Sequence, residues 1–156
     1  MLCKLLLDTN VFIDAIAGRE PFQRNAKLIL ALGSLGEFEL WISASQATDI
    51  FYILSDGGKR SQAERATEQL QRLRKFVRVC SFTEDDIDAA LASTWGDFED
   101  SCINQIAHKV KPDVVVTGNL KDFALSDFPV FDCDNLFAWI ERKYGVSYTE
   151  LAFPNA

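Results

Sequence analysis

The stretch DFEDSCINQIAHK, residues 97–109, sets three acids within four positions at the head of a run with helical apolar spacing. Acids suit a helix start, where the dipole is positive, so Asp97, Glu99 and Asp100 could simply decorate that end. Asp97 and Asp100 lie three apart and share nearly one face, whereas Glu99 turns toward solvent. Other oxygen-bearing side chains stand where a sheet would present them. Asp8 follows the apolar run LLL directly, Asp49 lies within SASQATDIFYIL, and Thr117, Asn119 and Asp122 follow VVV in VVVTGNLKDF. Singly, each has a duller role as a cap, a turn former or a loop acid. Gathered together they would not be dull. Two carboxylates about 4 Å apart repel by roughly 4 kcal/mol at an effective dielectric of 20. Three in one place must hold protons or a cation. Oxygen ligands without His or Cys select a hard ion, Mg²⁺ or Mn²⁺, and such ions complete their shells with water and phosphate oxygens. The chemistry expected is then attack of a metal-activated water on a phosphodiester or phosphoryl group.

The elements that must position these groups alternate along the chain. Short apolar runs at 3–7, 38–42, 77–82, 113–117 and 129–133 read as strands, the fourth apolar enough to be buried on both faces. Helical periodicity covers 10–17, 22–34, a segment capped by Ser43 or Ser45 and stopped by Gly57-Gly58, then 60–75, 84–93, 97–109 and 134–143. Thr83 and Asp86 have the spacing of a capping box at the start of 84–93. Ile50 and Phe51 belong to an apolar helix face, so Asp49 is expected to border buried surface. Alternating strands and helices predict a parallel sheet covered on both sides, with ligands beyond the carboxyl ends of the strands. If the first and fourth strands are neighbours, Asp8, Thr117 and Asn119 converge on one end of the sheet.

Composition narrows the class. A chain of 156 residues, 48% apolar and 25% charged, is one ordinary globular domain, here 1–144, with a tail at 145–156. No apolar stretch is long enough for a bilayer, and MLCKLLLDTN lacks the form of a signal peptide, so a cytoplasmic protein without membrane contact is expected. Cys3, Cys80, Cys102 and Cys133 stand far apart and form no zinc pattern. A net charge of −7 argues against a general nucleic-acid coat but not against an enzyme that meets phosphate through metal. The charge is uneven: residues 59–78 carry seven bases and two acids, residues 84–100 seven acids and no base. The basic stretch is either a solvated helix face or a surface for RNA or a partner.

The joint order LLLDTNVFID, an acid after the second strand, DFEDSCINQIA and VVTGNLKDF resembles the PIN domain, a family of small metal-dependent ribonucleases that includes the toxins of VapBC-type toxin–antitoxin pairs. The resemblance runs from about residue 4 to 137. It implies a three-layer α/β/α fold with a central, mostly parallel sheet of four to five strands. It also implies a Mg²⁺- or Mn²⁺-dependent endoribonuclease acting on RNA, an antitoxin partner and a homodimer. By position, Asp8, Asp49 and Asp100 match the metal-binding acids, Asp49 standing where the family more often has Glu. Asn119 falls where many members carry a fourth Asp, with Asp122 retained after it. Thr117 matches a Ser or Thr that helps position water or the metal's shell, Asn10 an Asn that shapes the first acid's loop, and Asp97 remains as a supporting group or cap.

Two further readings stand beside this one. A catalytically silent PIN-like module would bind RNA or a protein partner without turnover, and Asn119 favours it. A phosphohydrolase using Asp8 as nucleophile would need a second acid two residues later, where this chain has Asn10.

Overall fold

The computed structural model describes residues 1–18 and 20–148. Five parallel strands form its sheet: β1 (Cys3–Leu7), β2 (Phe38–Ser43), β3 (Val77–Cys80), β4 (Val114–Val116) and β5 (Val130–Phe131), in the order β3-β2-β1-β4-β5. Seven α-helices among the described residues cover it: α1 (Thr9–Ile16), α2 (Gln23–Ser34), α3 (Ala47–Leu54), α4 (Ala63–Arg74), α5 (Glu84–Ala92), α6 (Phe98–Val110) and α7 (Cys133–Tyr144).

The side-chain alternation of β1 explains the layering. Leu5 and Leu7 face a core shared with α1, α2, α3, α4 and α7, including Phe12, Ile29, Ile50 and Leu136. Leu6 points the other way, into a smaller core built by Ile103, Ile106 and Ala107 of α6 with Val115 and Phe123. All three leucines are fully buried, so β1 needs apolar residues on both faces, as a central parallel strand does. The result is the expected three-layer α/β/α arrangement. Close packing is visible at Gly33 of α2, where a Cβ would lie 2.2 Å from Leu40 Cδ1 on β2.

Two local departures from the sequence expectation have plain causes. The third strand was expected to run to Phe82 but ends at Cys80, because its only partner, β2, ends at Ser43 opposite. Ser43 leaves the sheet as the cap of a 3₁₀ turn, Ala44–Gln46, in a capping box with Gln46. The predicted helix at 60–75 likewise opens with a 3₁₀ turn, Arg60–Gln62, before α4 begins. Of the tail expected at 145–156, Val146 and Tyr148 pack on the larger core, Tyr148 against Phe38 and Phe137, and residues 149–156 lie outside the described residues.

β1 and β4 are neighbours, with Leu7 opposite Val116, and the strand order reverses there. This is the switch point at which open α/β sheets bind ligands. Asp8 and Thr117 are the next residues on the two strands.

Candidate active site

Asp8 caps α1 and is the best-held group of the site. Its Oδ1 accepts from the Thr9 N–H at 2.7 Å, and its Oδ2 accepts from the Thr117 hydroxyl at 2.7 Å and Asn10 Nδ2 at 3.1 Å. Asn10 Oδ1 accepts in turn from the Gly118 N–H at 3.1 Å, and Thr117 Oγ1 from the Asn119 N–H at 3.0 Å. These bonds stitch the loop after β1 to the loop after β4, so the carboxylate of a residue only 5% exposed cannot swing. Burial pushes the Asp8 carboxyl above its ordinary pKa. The Thr117 hydroxyl and Thr9 N–H oppose that, while the charges of Asp97 and Asp122 add to it.

Asp100 lies in the first turn of α6, close enough for the Asp8 charge to act on it. Asp97 caps that helix, its Oδ1 accepting from the Asp100 N–H at 3.0 Å. Asp100 is 7% exposed, and among the described residues no group donates to its carboxylate. Burial, then the charges of Asp8, Asp97, Asp122 and Glu99, push its pKa up to about 7. The two buried acids thus differ in kind. One is clamped by donors, and the other is bare and close to half protonated at neutral pH.

The remaining residues form an outer ring. Asp122, in the 3₁₀ turn Leu120–Phe123, is exposed, and its charge reaches both Asp8 and Asp100. Asn119 is also exposed. Asp49 was expected to border buried surface, but it is exposed on the first turn of α3 while Ile50 turns into the core. The angular step of 100° per residue is enough to put neighbours on opposite sides of that boundary. Glu99 is solvent-exposed as expected, yet it stands beside the cluster: burial first, then the charges of Asp49, Asp8 and Asp97, raise its pKa. It is the group that connects Asp49 electrostatically to the inner acids.

Among the described residues no three His, Cys, Asp or Glu side chains stand close enough to form a ready-made metal cage. What exists is a pair of buried carboxylates with a surrounding ring of acids. Two open clefts of about 410 Å³ are lined by neighbours of the pair, Asn10 among them in one and Asp97 in the other. Asn10, Asp14, Glu20, Phe22, Gly118 and Asn119 line one, and Trp95, Gly96, Asp97, Lys121, Asp122 and Leu125 are in the other.

Sequence reasoning passed over Gln46. Only 2% exposed, it donates to the Leu7 carbonyl at 2.8 Å and the Thr9 hydroxyl at 3.2 Å, and accepts from the Ser43 N–H at 2.7 Å. It thereby ties the Asp8 loop to the end of β2. The S-x-x-Q spacing was the available signal. His108, by contrast, lies away from the acids, 3.1 Å from Asp127 and edge-on to Phe128.

Residues 4–121 match the sequence model of the PIN domain. The chain belongs to the PIN domain family. No curated protein matches it. Among solved structures, a toxin–antitoxin complex from Klebsiella pneumoniae aligns at TM-score 0.58 and 23% identity, over 83% of this chain and 97% of that one. VapBC-1 from nontypeable Haemophilus influenzae aligns at 0.60 and 20%, over 84% and 98%. Mycobacterium tuberculosis VapC20, a sarcin-ricin loop cleaving toxin, aligns at 0.56 and 16%, over 77% and 95%. At these identities the likeness is one of fold, and this PIN domain shares it along nearly the whole length of each neighbour. No helix of the described residues is long and apolar enough to cross a membrane.

Proposed function

We propose that this PIN domain is a Mg²⁺- or Mn²⁺-dependent endoribonuclease and the toxin of a toxin–antitoxin pair. The observation that carries the reading is the bare, buried Asp100 beside the clamped, buried Asp8 at the switch point of the sheet. Folding gains nothing from bringing two such carboxylates together unless something cationic joins them. The donor set, oxygen throughout, fits a hard divalent ion. Asp8 and Asp100 would hold it, with Asp49 completing the set from α3. When bound, such an ion activates water and offsets charge on a phosphodiester.

The chain's own residues do the positioning. Asn10 and Thr117 fix the rotamer of Asp8, and Asp97 fixes the first turn of α6 beneath Asp100. Asn119 and Asp122 border the site from the β4 loop. The net charge of −7 makes direct contact with phosphates unfavourable away from a cation, which supports strict dependence on the metal. A homodimer would bring exposed bases such as Arg65 and Arg72 of two chains near one acidic site, and an antitoxin would cover that site. The four free cysteines accord with a reducing, cytoplasmic setting.

The test is cleavage of defined RNAs by purified protein with Mg²⁺ or Mn²⁺, alongside Asp8→Asn and Asp100→Asn prepared identically. Both variants should fold and lose cleavage. Parent-like cleavage by either overturns the assignment. Mn²⁺ binding with no cleavage of any RNA would favour the silent binding module.

A further inference from the structure

Asn104 lies four residues after Asp100 on α6, about 40° around the helix and one turn deeper. It interrupts the apolar stripe of Ile103, Ile106, Ala107 and Val110, and it is only 7% exposed. Its Oδ1 is sealed from solvent and has no hydrogen-bond partner among the described residues, the one buried side-chain oxygen or nitrogen there of which this is true. Buried polar atoms nearly always find partners, so a solitary exception needs a reason. An apolar residue of equal size would suit the stripe better. The exception falls one helical turn after the bare carboxylate.

We propose that Asn104 is a positioning residue for the metal centre, its amide turning so that Oδ1 accepts a hydrogen bond from the hydration shell of a divalent ion held by Asp8 and Asp100. The inference rests on the metal-dependent reading above and deepens it. A hydrated Mg²⁺ or Mn²⁺ carries waters whose protons point outward and need acceptors. With one oxygen on the ion, Asp100 would have only the other left to accept from those waters. A further carboxylate behind it would add repulsion to a site already crowded with negative charge. An amide oxygen accepts the bond and adds none. Outer partners of this kind orient the ligands of metal sites, and their loss typically costs about 10–100-fold in metal affinity or activity.

The test uses the full chain and Mn²⁺ alone. Binding is followed by electron paramagnetic resonance and by the Mn²⁺-induced rise in melting temperature, for the parent and for Asn104→Leu, Asn104→Asp and Asn104→Ala. Asn104→Leu, near in size, should melt at or above the parent without metal and bind Mn²⁺ about tenfold more weakly. Asn104→Asp keeps an acceptor oxygen at the cost of added charge, and should bind Mn²⁺ more weakly than the parent but more tightly than Asn104→Leu. Parent-like Mn²⁺ affinity in Asn104→Leu overturns the proposal, as does equal loss in the Leu and Asp variants. Should the leucine variant fail to fold, unaltered affinity in Asn104→Ala overturns it equally. Asp100→Asn separates the two levels of argument. If the parent binds Mn²⁺ and Asp100→Asn does not, a silent Asn104 series sinks only the role of Asn104. If the parent binds no Mn²⁺ at all, the metal-dependent reading falls and takes this one with it.

Discussion

Replacing Asp100 by Asn should stabilise the metal-free protein, although the proposed function puts Asp100 at the centre of its chemistry. Its carboxyl titrates near 7 in the fold against 3.8 when unperturbed. That difference, at about 1.4 kcal/mol per unit, sets an upper bound of roughly 4 kcal/mol on the cost of ionising it in place. Solvent relaxation and salt reduce this to about 1–2 kcal/mol. No donor is lost on substitution, because none of the described groups donates to the carboxylate. The sign follows from proton binding. Between 3.8 and about 7 the folded chain holds a proton that the unfolded chain has released, so parent stability falls as pH rises through that window. The gain from Asn is therefore absent below pH 4 and complete above pH 7. For a domain of this size 1 kcal/mol moves the melting temperature by about 2–4 °C, so the variant should melt several degrees higher at pH 8 in EDTA. The assay is thermal melting of both proteins from pH 4 to 8, with EDTA and then with Mn²⁺, which should raise only the parent. A variant that melts at or below the parent in EDTA at pH 8 refutes the claim that charge crowding strains this site.

Three other outcomes follow from the same geometry. Mn²⁺ affinity should rise with pH up to about 7, by close to tenfold per unit while Asp100 must lose a proton to bind, and then level off; calorimetry in buffers of different ionisation enthalpy reads the proton released. Thr117→Val should lower stability by about 1–3 kcal/mol, because it strips Asp8 of its 2.7 Å hydroxyl donor and leaves the Asn119 N–H unpaired; denaturant melts measure it, and an unchanged midpoint would argue that these bonds are idle. Lys109→Met should cost about 1–2 kcal/mol and leave the Mn²⁺ response intact, since Asp86 keeps its Thr83 donors, loses its ion pair and takes no part in holding Asp8 or Asp100. Burial alone would raise the Asp86 carboxyl, but Lys109 and Thr83 outweigh it and hold it below its usual range, so the parent's advantage over this variant should vanish as pH falls below about 4.

The layer order and the helix starts were readable because each rests on a local cause. LLL and VVV announce strands buried on both faces, and Asp97 and Thr83 announce helix caps with the spacing that caps require. The meeting of Asp8 with Thr117 depends on β1 pairing with β4, which no stretch of residues encodes alone. The sequence could state it only as a condition. Asp49 shows the limit of periodicity: its neighbour Ile50 is fully buried, yet one residue's rotation leaves Asp49 outside. Glu99 shows another. A helical wheel turns it away from Asp100 correctly, but cannot show that α3 brings Asp49 up to meet it. Gln46 carried a local signal in its S-x-x-Q spacing, whereas Asn104 carried none. A buried polar side chain looks like any loop or helix residue until its surroundings reveal whether its atoms are satisfied.

The substitution pattern around the site makes sense as control of charge. Where many PIN domains place a fourth acid this chain has Asn119, and behind Asp100 it has the neutral amide of Asn104. Were both positions acidic, the inner cluster would face two more like charges at a place where Asp100 already stands near half protonation at neutral pH. Each added carboxylate would push that titration higher and make the ion compete with a more tightly held proton. Neutral oxygens escape the conflict, because they accept hydrogen bonds without repelling Asp8 or Asp100. The ring of Asp97, Glu99 and Asp122 then acts at longer range. On the metal-dependent function proposed above, it would draw a divalent cation toward the site while the two buried carboxylates held it.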